Sequence, residues 1–172
     1  LKASGTGSDS IASLTTEDID SLTTAHLAVL SATQLAAFST DQIVALRDAV
    51  VQNLSIAQIK ALRSDQISAL ETQDIAGLTT AHIAGLNSMQ VASLTTAQLG
   101  SVTTDQIVAL NSTQVGAFTT TQIAALSSDQ LVAIETDDVP GLTTAQLRAL
   151  STDNLAALTT DQVAALGRTQ LA

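Results

Sequence analysis

Large apolar residues return along this chain every eight positions. Written in octads from Leu14, it reads LTTEDIDS, LTTAHLAV, LSATQLAA, FSTDQIVA, LRDAVVQN, LSIAQIKA and onward to the end, with no insertion or deletion. The first position is always large and apolar: Leu, or Phe38, Val102, Phe118 or Ile134. The sixth is always Ile, Leu or Val, from Ile19 to Leu171. The eighth is mostly Ala, Gly or Ser, the fifth mostly Gln, and the second and third mostly Thr or Ser. The consensus is L-T-T-x-Q-I-A-A, and such self-similarity marks a repeat architecture.

Each octad carries a helix-start signature. In Leu94-Thr95-Thr96-Ala97-Gln98-Leu99, Thr95 is the N-cap and Gln98 stands three residues on, the spacing of a capping box. Leu94 before the cap and Leu99 at the fourth helical position form a hydrophobic staple. Asp at the fourth octad position (Asp41, Asp65, Asp105, Asp129, Asp153, Asp161) falls in the first turn, where the helix dipole favours a negative charge. The next cap arrives eight residues later, so each helix can last only about six residues. Helices that short do not form alone, because nucleation costs too much. The staple residues must therefore be buried against neighbouring octads, at about 1.5–3 kcal/mol for each large side chain.

The pattern predicts an all-α fold: a solenoid of very short helices, one per eight-residue repeat. Residues 1–13 read as a lead-in, flexible over the first seven, with SDSIAS before Leu14 as a partial repeat. Residues 14–172 read as a single solenoid domain. Three other arrangements compete. On one continuous helix an eight-residue period drifts by about 80° per repeat, leaving no stable apolar face. A β-solenoid conflicts with the unalternated apolar run at positions 6, 7, 8 and 1. Disorder conflicts with an unbroken aliphatic pattern.

Two octads depart from the consensus. Arg47-Asp48-Ala49-Val50 replaces T-T-x-Q, so one longer helix is predicted from Thr40 to near Asn53. Pro140 biases Val139 out of the helical region, so the helix begun after Ile134 should be cut short at Val139-Pro140-Gly141. The small eighth residue predicts close backbone approach at each corner.

Composition narrows the picture. Apolar residues make up 45% of the chain but aromatics only 1%, so the core must be aliphatic. Charged residues are 13%, so the solvated surface must be Thr, Ser, Gln and Asn. Six Lys and Arg against sixteen Asp and Glu give a net charge of −10. Nucleic-acid binding needs clustered cations to neutralise phosphates, and this balance excludes it. No apolar run is long enough to span a bilayer, so no membrane insertion is expected. Cysteine is absent. A chain that begins at Leu1 is expected to be a fragment or a processed form.

Candidate chemistry is sparse. His26 and His82 share the fifth octad position but lie 56 residues apart with no third ligand at metal-binding spacing, and they read as polar first-turn substitutes. Glu17-Asp18 and Asp137-Asp138 read as residues serving caps and helix dipoles, in preference to an acid–base pair. No nucleophile elbow or phosphate loop is present. No catalytic, cofactor or metal residues are assigned, and the chain is not expected to be an enzyme. Arg47, Lys60 and Arg63 hold half the positive charge within 17 residues and form a candidate contact patch. The Gln column is expected to form a ladder of side-chain amides along the solenoid while capping each helix.

The L-T-T-x-Q-I-A-A unit from Leu14 to Ala172 resembles the octapeptide-repeat arrays of large bacterial secreted or surface proteins of the adhesin type. That resemblance implies an extracellular or cell-surface setting and a structural or adhesive role. The helix entry LTxxQ is also similar to the start of TAL-effector repeats, but the period, the acidic charge and the missing base-reading loop rule out DNA binding. The expected function is a non-catalytic structural or adhesive segment of a larger bacterial protein. The alternative is a scaffold whose repetitive helical groove takes a protein partner. A third reading, an ice- or crystal-surface binder, rests on Thr arrays such as Thr95-Thr96 and Thr103-Thr104. A protein or cell-surface ligand is the expected partner class, together with end-to-end self-association through the outermost repeats.

Overall fold

The computed structural model describes residues 11, 13–46 and 51–170. Among these residues it contains seventeen α-helices of five or six residues, one 3-10 helix and no strand. The octads fold as the capping pattern predicts. In the helix Thr96–Ser101, the Thr95 side chain accepts from the Gln98 backbone N–H, and Gln98 reaches back to the Thr95 N–H. The helix Thr120–Ala125 repeats that arrangement with Thr119 and Gln122, and the helix Thr160–Ala165 with Thr159 and Gln162.

The link between helices is very short. Leu126 closes the helix Thr120–Ala125 with φ −63° and ψ 139°, and Ser127 caps the next with φ −69° and ψ 160°. Two extended residues therefore make each corner. No described residue has a positive φ, so the corner needs no glycine and the octad can repeat without one.

The helices stack at a distance of three octads. The helix Thr96–Ser101 packs on Thr72–Gly77 and on Thr120–Ala125, and Ser88–Ser93 packs on Ser64–Ala69 and on Ser112–Ala117. The first and sixth positions of successive octads line one continuous core that runs the length of the described coil. Ile59, Ile67, Val91, Val115 and Ile123 are fully excluded from solvent. Burial of that aliphatic seam, and not the intrinsic preference of any five-residue segment, stabilises the helices. None of the helices among the described residues is long and apolar enough to cross a membrane.

Three local expectations need correction. The helix entered at Thr40 ends at Val44, with Ala45 as its C-cap, and does not run on to Asn53. Leu46 N–H instead donates to the Ile43 carbonyl at 3.1 Å, the same closing turn as in other octads, so packing at the first position overrides the helical spacing. Residues 47–50, where the continuation was expected, lie outside the described residues, as do the first seven. At Pro140 the helix is not shortened but replaced. The Val139 and Leu142 N–H groups close turns on Glu135 and Val139, and Val139–Gly141 is a 3-10 helix. Proline lacks the N–H that an α-helical turn would use there.

Close backbone approach does occur, but at one place more than at every corner. A Cβ on Gly141 would overlap the Ser112 carbonyl, and one on Gly116 would sit 2.7 Å from the Gly141 oxygen. The two glycines let the 3-10 octad nest against the helix Ser112–Ala117.

Candidate functional site

The most heavily bonded side chain of the octad is the fifth-position Gln. Gln98 is 2% exposed. Its backbone N–H donates to Thr95 Oγ1 at 3.1 Å, and the Thr95 N–H donates to Gln98 Oε1 at 2.8 Å. Its Nε2 donates twice more, to the Ile67 carbonyl at 2.9 Å and the Leu70 carbonyl at 2.7 Å. Those carbonyls lie 31 and 28 residues back, in the fourth and third octads before it. One side chain thus satisfies a helix start in its own octad and two backbone acceptors at a helix end in the preceding turn.

The same pattern recurs from Gln42, which donates to Ile11 and Leu14, through Gln106 and Gln130 to Gln170, which donates to Val139 and Leu142. It shows that one superhelical turn closes after between three and four octads. The expected ladder of amides is therefore a set of amide-to-backbone stitches. Spacing revealed that Gln caps. It did not reveal where the NH2 points, because that depends on the number of octads per turn.

Substitutions at this position show what the amide supplies. Asn154 is one methylene shorter. It keeps a bond to the Leu126 carbonyl at 2.9 Å, but its Oδ1 accepts from Ser128 Oγ at 3.0 Å, and no capping box forms at Ser151. His82 is buried and accepts the Thr79 N–H at Nδ1, 3.2 Å away, and His26 takes the Thr23 N–H the same way but is exposed. Both histidines are caps, in different parts of the coil. Asp74, also buried, accepts the Glu71 N–H at 2.9 Å.

The acidic pairs divide. Asp18 Oδ2 accepts the Thr15 N–H at 3.0 Å and the Thr15 hydroxyl at 2.8 Å. These bonds, the backbone one foremost, hold its carboxyl below the usual aspartate range. Asp138, expected to do the same, instead precedes the 3-10 helix without a side-chain cap bond. The described residues contain no group of three or more His, Cys, Asp or Glu able to hold a metal ion.

Of the three cations in the candidate patch, Arg47 lies outside the described residues. Lys60 sits exposed in the last turn of the helix Ile56–Ala61. Arg63 occupies an N-cap position where a Thr would usually stand. Its guanidinium bonds the Asp65 carboxylate at 2.9–3.0 Å, and donates to the Phe38 carbonyl at 3.3 Å and to the Ala36 carbonyl. The Arg63 hydrogen bond lowers the pKa of Asp65. Arg63 thus adds a further tie to the earlier turn, 25 to 27 residues back.

The outward positions carry small polar groups. Thr95, Thr96, Thr103 and Thr104 are all exposed, and the hydroxyls of Thr95 and Thr103 already accept backbone N–H groups. An open hollow near the start of the coil is lined by Thr16, Glu17, Asp20, Val44, Ala45 and Leu46.

Comparison with protein families finds four matches to the model described as the ALTTAQ repeat, over residues 11–48, 67–104, 103–134 and 131–168. No curated protein matches the chain.

Proposed function

Since the chain belongs to the ALTTAQ repeat family, we propose that it is a non-catalytic structural or adhesive segment of a larger bacterial protein that acts at the cell surface or after secretion. The observation that supports this reading is the stitching of turn to turn. From Gln42 to Gln170 the side-chain amide ties each turn to the one before it through backbone carbonyls. Such a coil can be lengthened octad by octad without changing its cross-section, and most octads present a similar polar face of Thr and Ser. That suits a spacer that sets distance or displays a repeated contact.

The alternative, a scaffold for a protein partner, draws less support, because the exposed Arg63 guanidinium is already engaged by the Asp65 carboxylate and by the Ala36 and Phe38 carbonyls. Force spectroscopy on the chain held by its two ends tests the spacer reading. The expected trace is a series of small steps as turns peel away. A single all-or-none rupture, or extension without resistance, would overturn it. Binding of the purified chain to immobilised bacterial and host surface material tests the adhesive part.

A further inference from the structure

We propose that the coil contains a built-in parting line, where turns separate first, between residues 43–54 and residues 74–82. The column of Gln stitches is interrupted there. From Gln42 onward, Asp74 and His82 are the only two neighbouring fifth positions that both lack Gln. Stitching amides reach carbonyls 31 and 28 residues back, as Gln122 does at Val91 and Leu94. That register assigns the Ile43 and Leu46 carbonyls to Asp74, and the Val51 and Leu54 carbonyls to His82.

Neither side chain makes the tie. Asp74 accepts the Glu71 N–H at 2.9 Å, and a carboxylate has no N–H to donate to a carbonyl. His82 accepts the Thr79 N–H at Nδ1, 3.2 Å away, which leaves one N–H on a rigid ring in place of a flexible NH2. On either side the stitches are intact: Gln66 donates to Leu35 and Phe38, and Gln90 to Ile59 and Leu62. Among the described residues no side-chain amide reaches the carbonyls between these, those of Ile43, Leu46, Val51 and Leu54.

Apolar packing does continue across the line. Val51 and Ile75 are 0% exposed and Ile83 2%. The helix Thr80–Gly85 packs on Ile56–Ala61, and the Gln52 side chain lies where a Cβ on Gly77 would stand. The two turns are thus held by burial without the amide bonds that tie other turns. Opening elsewhere must break those bonds, whereas here it returns the carbonyls of buried Leu46 and Leu54 to water. Once uncovered on one side, helices as short as Thr72–Gly77 and Thr80–Gly85 do not persist. The opening is therefore local and lies inside the coil.

Hydrogen exchange on the whole chain, followed amide by amide by NMR, tests this independently of any role at a cell surface. The Ile75, Leu78, Ile83 and Leu86 amides close the turns of the two octads, as the Leu99, Val102, Ile123 and Leu126 amides do in stitched octads. Relative to free-chain rates, the first four should exchange about tenfold faster than the second four. Asp74→Gln combined with His82→Gln restores the consensus and should slow the first four about tenfold, leaving the second four unchanged. If the double variant fails to fold, His82→Gln alone should slow Ile83 and Leu86. Equal protection of the two sets in the natural sequence, or fast exchange that the folded variant leaves unchanged, would overturn the proposal.

Discussion

Gln98 and Leu70 are 28 residues apart in the chain, yet the Gln98 amide donates to the Leu70 carbonyl at 2.7 Å. This bond joins two turns of the coil, while the Gln98 oxygen holds the start of its own helix at Thr95. The octad therefore couples local and long-range structure through one side chain.

Replacing Gln98 with Leu should destabilise the protein more than removing the cap it faces. Gln98→Leu deprives the buried Ile67 and Leu70 carbonyls of the Gln amide, at about 1–3 kcal/mol for a buried group stranded, and also removes the acceptor of the Thr95 N–H. Thr95→Ala loses one cap bond, at about 1 kcal/mol. Urea unfolding midpoints of the two variants measure the difference. Equal shifts would count against the stitch.

Ile107 is 1% exposed. Ile107→Asp places a carboxylate in the aliphatic seam and should abolish cooperative folding, as read by loss of helical circular dichroism. Thr103→Ala in the same octad should cost about 1 kcal/mol and leave the spectrum unchanged.

Gly141→Ala should cost roughly 1–3 kcal/mol, the usual toll of overpacking, because the new methyl meets the Ser112 backbone oxygen and not a flexible side chain. Gly100→Ala, where nothing stands within 4 Å, should be neutral or stabilising, since Ala favours a helix interior. Melting temperatures that move together would contradict the packing at Gly141.

Asp18 and Asp65 both titrate below the ordinary aspartate value, about 3.9 in an unfolded chain. A folded pKa that is depressed adds stability above the unfolded value and loses it as pH falls through the folded one. The small contribution of each bond to its own octad should thus be lost only as pH falls below that value. Carboxyl NMR titration should place both midpoints under that of a free aspartate, and Thr15→Ala should raise the Asp18 midpoint.

Because each turn leans mainly on its neighbours, removing terminal octads should lower the melting temperature gradually. A chain ending at Ala149 loses the ties made by Asn154, Gln162 and Gln170. It should stay folded with a lower melting temperature. Complete unfolding on that truncation would show that stability is global and not nearest-neighbour.

Much of this molecule can be read from its octads. A Thr or Ser followed three residues later by Gln sets where each helix starts, and the next cap sets where it must end. The first and sixth positions name the core, because a capped helix this short survives only if its staple residues are covered. Those are local rules, and they act within eight residues. The failures were places where a neighbouring turn decides. Helical spacing at Ile43 and Leu46 suggested a long helix, but the core required Leu46 at an octad corner. Arg63 is exposed as a surface charge should be, but the carbonyls of the earlier turn that it also bonds could not be read from the sequence. The direction of the Gln amide, the between-three-and-four octads in each turn and the glycine contact at Ser112 belong to the tertiary structure alone. Each depends on the angle at which one octad leaves the next, and small angular differences at every corner accumulate into the pitch of the coil.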